Sequence, residues 1–430
     1  MIRFKPRSLP PLVSTAALLL LSATQAVAAA APQSVQDLLA QTDDVLKQMS
    51  QLTGLPIKGT LKKQVISRAQ AEQYLIADLH AEMTPEEIHA QEALVRALGL
   101  VSSDFNLEKF LVSFYTEQAA GFYDPQRQTM FLADWIPAEV QKMALAHELT
   151  HALQDQNWGL DKYLHGASAD DDATAARLAV VEGYATAAML QPATAGLFGL
   201  ESLPSLTPML EGMLNQQFDA YPAFSNAPYY FRMRALFPYV QGLGFIQSGL
   251  QHGGWKSLDA LFQRPPQNTQ QIFDPASYFT AHAFAIPTLS APEALAEGFR
   301  LLRENSLGEL GYYSLLGQLV SAEEAKKLGP AWRGDRYLLY ERTRGNQCTI
   351  VARSVWSDSE TSLAFFRDYH TNLSHKYPDL VVDPRSGADL FVGSSANGVT
   401  LVLRKGNECF FAEGIPAGQA DAILTWLRAQ

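Results

Sequence analysis

The chain has 430 residues and a formal net charge of −11, with 47% hydrophobic and 18% charged residues. That balance supplies a core for two or three packed units and excludes a disordered chain. So acidic a protein is a poor partner for nucleic acid or an anionic membrane surface, and no segment beyond the first thirty residues is long and apolar enough to span a bilayer.

The first residues read as an export signal. Arg3, Lys5 and Arg7 precede an apolar run from Leu12 to Leu21, and Ala26-Val27-Ala28 offers the small-x-small pattern at which a signal peptidase cuts. Residues 1–28 are therefore expected to be removed, which takes the net charge from −11 to −14. No Cys follows the run to carry a lipid, so a periplasmic or secreted protein without a stable membrane anchor is expected. In such an oxidising compartment Cys348 and Cys409, each preceded by a Gly-Asn pair, are expected to form a structural disulfide.

Residues 29–104 read as a helical N-terminal region. Val35, Leu38, Leu39, Leu46 and Met49 fit one amphipathic face, and Ser67 with Gln70 and Thr84 with Glu87 look like capping boxes. The region shows no chemistry, and His80 and His89 are expected to face solvent. Two short alternating runs then flank the turn Asp124-Pro125-Gln126-Arg127, which predicts a β-hairpin at 120–132. Its edge either holds an extended peptide by backbone hydrogen bonds or simply covers the core.

The most informative stretch follows. Pro137 and the stripe Val140, Met143, Ala144, His147, His151 predict a helix that stops at Asn157-Trp158-Gly159. Residues four apart share a helix face, so His147 and His151 aim two imidazoles at one ion, and Glu148 reaches a water held there. Chance would produce His-Glu-x-x-His in roughly one such chain in a hundred. The competing reading is a pair of core histidines satisfied by backbone groups.

A catalytic zinc takes three protein ligands and leaves one position open. The extended His-x-x-Gly-x-x-His pattern fails, because Gln154 and Asn157 stand where Gly and His are required. The best candidate is Glu182, the one carboxylate in the apolar helical run Leu178–Thr186, where burial is costly without a partner. A surface Glu beside Arg177 or Arg232 is the bland alternative. Asp170, Asp171 and Asp172 form a rival ligand set but look like a solvated loop and N-cap, and His165 sits in a nearby loop.

From Leu206 to Leu328 the chain reads as further helices and loops, expected to form the opposite wall of a cleft. The last hundred residues change character: Tyr337–Glu341, Cys348–Ala352, Gly398–Leu403 and Cys409–Ala412 read as strands, with helices over 359–375 and 417–428. A boundary is placed near Gly329-Pro330.

His147-Glu148-Leu149-Thr150-His151-Ala152-Leu153-Gln154-Asp155, followed by a helix carrying Glu182, resembles the gluzincin, or thermolysin-like, zinc metallopeptidases over residues 146–186. The resemblance implies zinc held by His147, His151 and Glu182, Glu148 as general base, and Asp155 orienting a ligand histidine. It departs from the family in having Thr186 where an Asp follows the Glu ligand, and in lacking a recognisable distal histidine. The implied fold is α+β and mainly helical, with a zincin-like catalytic domain at 105–329 and a small α+β module at 330–430. A donor for the developing oxyanion is sought among Tyr229, Tyr230, Tyr239 and His252, with Tyr239 preferred because its apolar neighbourhood leaves the hydroxyl in need of a partner. The expected activity is hydrolysis of peptides or unfolded protein; the alternatives are a zinc-containing binding protein without hydrolysis, or a processing protease held inactive by its N-terminal helices.

Overall fold

The computed structural model describes residues 34–118, 121–166, 170–194, 199–218, 221–280 and 286–430; the expected leader lies outside the described residues. The architecture is α+β and mainly helical, with two separate sheets.

Strands β1 (Lys62–Ile66), β2 (Gly121–Asp124) and β3 (Thr129–Ala133) form the smaller sheet in the order β1-β3-β2. The predicted hairpin is β2 and β3, paired antiparallel from Gly121 opposite Leu132 to Asp124 opposite Thr129, while β1 runs parallel to β3. The N-terminal region therefore supplies a strand as well as helices. Its helices begin as read: Ser67 and Thr84 each close a capping box with the residue three further on.

One core joins the N-terminal helix Val35–Thr53, the motif helix Ala138–Trp158, the helix Asp171–Leu190 and the helix Tyr229–Leu250. Leu38, Leu46 and Met49 pack into the same apolar cluster as Leu145, Leu149 and Leu153 of the motif helix and Val180 and Leu243 of the other two. The N-terminal helix is thus part of the core rather than a detachable cover. Deleting residues 34–104 is expected to give insoluble or molten protein rather than an activated enzyme, because it exposes that apolar face and strips β3 of its parallel neighbour β1. Near-ultraviolet circular dichroism of the truncated chain checks this; a native-like spectrum with activity would contradict it.

The larger sheet is antiparallel throughout: β4 (Phe299–Asn305), β5 (Trp332–Arg342), β6 (Cys348–Trp356), β7 (Val381–Val382), β8 (Leu390–Ser395), β9 (Gly398–Lys405) and β10 (Glu408–Ile415), in the order β4-β5-β6-β10-β9-β8-β7. Successive side chains point to opposite faces of a strand. Tyr337, Leu339, Ile350 and Phe411 accordingly pack under the helix Ser359–Lys376, while Leu338, Tyr340, Val351 and Phe410 pack under the helix Ala420–Ala429. β4 lies in a segment read as helix and loop and precedes the boundary placed at 329. It carries Arg300, Arg303 and Glu304, which hid it from a reading based on apolar alternation.

The expected disulfide is absent: Cys348 and Cys409 are both free thiols. Cys409 stands opposite Ser354 on β6, six residues from Cys348. At about 3.3 Å per residue that is about 20 Å along the strand, whereas bridged cysteines need Cα atoms within about 7 Å. His89, expected to face solvent without a partner, instead meets the buried Glu341 at 2.6 Å and ties the N-terminal region to β5. Among the described residues no helix is long and apolar enough to cross a membrane.

Candidate metal centre

The motif helix ends where Gly159 adopts a left-handed conformation, φ 70°, and donates its N–H to Asp155. His147 and His151 lie one turn apart on its inner face, against the helix that carries Glu182. His147 Nε2 is 3.0 Å from Glu182 Oε2 and 3.0 Å from His151 Nε2, and His151 Nε2 is 3.3 Å from the same carboxylate oxygen. These side chains are buried, at 0% exposure for His147, 2% for His151 and 4% for Glu182.

That convergence tests the fit of a metal. Tetrahedral zinc bound at 2.0–2.1 Å by nitrogen and oxygen holds its ligand atoms roughly 3.3 Å apart. The three observed separations are close to that spacing, so the donor set fits zinc without rearrangement. Without an ion, charge settles unevenly. Burial would push His151 down, but the Glu182 carboxylate outweighs it and raises the imidazole to about 9. Burial would likewise push Glu182 up, and the His151 charge reverses that, lowering it to about 2. Burial dominates at His147, which is lowered and stays neutral.

The partner that orients His151 is Gln154, whose Oε1 lies 2.8 Å from His151 Nδ1 while its Nε2 donates to the Val181 carbonyl at 3.1 Å. A proton on Nδ1 leaves the Nε2 lone pair directed towards His147 and Glu182, the tautomer a metal ligand needs. Sequence reasoning missed this role, although Gln154 lies three residues after His151 on the same helix face. The family resemblance gave it to Asp155, whose carboxylate, among the described residues, bonds Tyr123 and Leu160 rather than either histidine. Asp155 accepts from the Tyr123 hydroxyl at 2.9 Å and the Leu160 N–H at 3.0 Å, and so fastens the hairpin to the end of the motif helix. Thr186 is buried, its hydroxyl without a partner among the described residues.

Glu148 is 2% exposed, and its Oε2 accepts the Tyr123 N–H at 2.8 Å. Tyr123 belongs to β2, the outer strand of its sheet, so the hairpin edge runs along the motif helix at the carboxylate. The Tyr239 ring stacks on His147 with centroids 5.9 Å apart, and its hydroxyl bonds Glu182. Burial, with the negative charges of Glu182 and Glu148, holds that phenol well above its usual range, so it remains a neutral donor.

The other candidates lie apart from this cluster. His252 stacks on Phe279 and meets the Ser248 carbonyl, Tyr229 lies beside Arg232, and Tyr230 lies under Arg234. His165 joins Glu82 and Asp161. Asp170 caps the ligand helix as read, accepting from the N–H groups of Asp172 and Ala173. Asp171 and Asp172, however, are buried rather than solvated. Arg303 of β4 donates to both oxygens of Asp171 at 2.6 Å, Asn305 adds a bond at 2.9 Å, and the Thr269 hydroxyl donates to Asp172 at 2.5 Å.

The family model described as a domain of unknown function (DUF8575) matches residues 298–424. The match spans the larger sheet from β4 onward and leaves the helices carrying His147, His151 and Glu182 outside it. No curated protein and no solved structure matches the chain. The region matched by that model nonetheless reaches the centre mechanically, because its Arg303 and Asn305 hold the first turn of the helix that carries Glu182.

Glu182 and Tyr239 meet because their helices cross at two glycines. A Cβ on Gly183 would lie 2.2 Å from the Gly242 backbone, and one on Gly242 would lie 2.3 Å from the Ala179 carbonyl. No side chain fits, so the helices must separate to admit one. Gly183→Ala is expected to destabilise the fold by about 1–3 kcal/mol and to weaken zinc binding by withdrawing Glu182. Calorimetric unfolding and zinc titration check this; unchanged zinc affinity would detach the crossing from the site.

Proposed function

We propose that the protein is an exported, zinc-dependent peptidase of gluzincin type, with His147, His151 and Glu182 as metal ligands and Glu148 as general base. The observation that carries this reading is the meeting of two imidazole nitrogens and a carboxylate oxygen at 3.0 to 3.3 Å in a buried cluster, with Glu148 next to His147 in the chain. A purely structural zinc site takes four protein ligands and has no use for an adjacent carboxylate. Export rests on the leader pattern of residues 1–28.

When bound, zinc supplies a Lewis acid and a water whose pKa falls towards about 7. Glu148 Oε accepts a proton from the attacking water and delivers it to the departing amine. Tyr239, held neutral and bonded to Glu182, donates to the oxyanion as charge develops. An extended peptide adding along β2 competes with Glu148 for the Tyr123 N–H and frees the carboxylate for proton transfer.

Zinc binding is tested by its pH dependence. In the metal-free protein the raised His151 pKa contributes stability that is complete below about 6.5 and lost as pH rises through about 9. Glu182, lowered to about 2, contributes a constant amount over that range. Zinc requires His151 deprotonated, so metal-bound protein does not suffer the same loss. The difference in Tm between zinc-loaded and stripped protein is therefore expected to widen from pH 6.5 to pH 9. A difference that narrows or stays flat would contradict the assigned ligands.

A further inference from the structure

A cavity of about 1040 Å³ opens on another face of the helix Tyr229–Leu250 from Tyr239, and none of His147, Glu148, His151 and Glu182 lines it. Its volume is at the upper end of the range for small-molecule sites. Leu236, Phe237 and Val240 form a buried apolar wall, continued by Phe273 and Tyr313. The three aromatic rings are contiguous, with Phe237 4.9 Å from Phe273 and Phe273 5.6 Å from Tyr313.

Much of the rest of the lining is polar, with Asn268, Gln270, Gln271 and Asp274 among it, and one of its buried groups is only half satisfied. Glu309 lines the cavity at 2% exposure, and its Oε2 has no hydrogen-bond partner among the described residues. Its carboxyl is otherwise bonded to Gln270. Burying an unpaired polar atom is costly, so such a group inside a cavity points to a ligand.

We propose that this cavity binds a small amphiphile, an apolar chain or ring bearing one carboxyl or carboxamide head that pairs with the Glu309 carboxyl.

Burial, reinforced by the nearby charge of Asp172, holds Glu309 well above the usual carboxylate range. That direction favours the protonated carboxyl, with an O–H to donate and an oxygen to accept, and a carboxyl or carboxamide head is complementary to it. An ammonium head offers donors only and leaves the O–H unmatched. Arg333, exposed at the rim, adds a positive charge on the side of Glu309 and favours an anionic head. The site lies between the helix Tyr229–Leu250 and the helix Gly308–Leu319, which falls within the segment matched by the family model, and it does not depend on the peptidase reading.

The test is calorimetric titration of the full chain at neutral pH with decanoate, decanamide and decylamine, each below its aggregation concentration. Saturable binding of decanoate and decanamide is expected, about tenfold tighter than of decylamine, the worth of one buried hydrogen bond. Met233→Trp, which fills the cavity from a partly exposed position, should abolish binding of all three. Glu309→Ala should weaken the first two by about tenfold and spare decylamine, while Glu309→Gln, isosteric with a neutral carboxyl, should stay within about twofold of wild type. Circular dichroism shows that each variant is folded. No saturable binding, equal affinity for the three heads, or binding that survives Met233→Trp overturns the proposal.

Discussion

Glu148→Ala is expected to retain one zinc per chain and to lose about a thousandfold in kcat, within the range that a positioned general base contributes. The variant leaves the three converging ligand atoms of His147, His151 and Glu182 in place. It also leaves the Tyr123 N–H without its acceptor, so a fall in stability of about 1–3 kcal/mol accompanies the kinetic loss. Glu182→Ala should behave differently, losing metal and activity together. Metal analysis alongside kinetics separates the two, and wild-type turnover by Glu148→Ala would remove this carboxylate from the chemistry.

The second large effect lies far from the metal. Arg303→Met strands the buried Asp171 carboxylate and is expected to destabilise the fold by about 3–5 kcal/mol, the usual consequence of removing one partner of a buried ion pair. Asp171 opens the helix on which Glu182 lies eleven residues later, about 16 Å along the axis. The variant should therefore also lower zinc affinity at temperatures well below its unfolding transition. Arg303→Met combined with Asp171→Leu removes both charges and should recover most of the stability. Unfolding curves and zinc titrations of the single and double variants check this; additive losses in the double variant would show that the pair is not coupled.

The parts of this protein that local rules govern were legible in advance. Two histidines at helical spacing around a glutamate locate the motif helix, and Glu182 stood out because a lone carboxylate in an apolar helix requires a partner. The hairpin and most strands of the larger sheet announced themselves by turn residues and alternation. What stayed hidden depends on pairing across the fold. Gln154 orients His151 only because Val181 is opposite it, and the Gly183–Gly242 crossing exists only once the two helices touch. Asp171 looked solvated because Arg303, its partner, is 132 residues away on a charged strand that does not alternate. The cysteines follow similar Gly-Asn runs, yet antiparallel register sends them to opposite ends of adjacent strands.

The central claim is that the buried His147, His151 and Glu182 cluster hydrolyses peptide bonds through a bound zinc. It is tested most directly by mass-spectrometric cleavage profiling of the mature protein on a mixed peptide library, as purified, after chelator, and after zinc is restored. Cleavage is expected to disappear with the chelator, return with zinc and be missing from Glu148→Ala. Zinc bound at one per chain with no cleavage of any peptide, or cleavage indifferent to chelator and to Glu148→Ala, would contradict it.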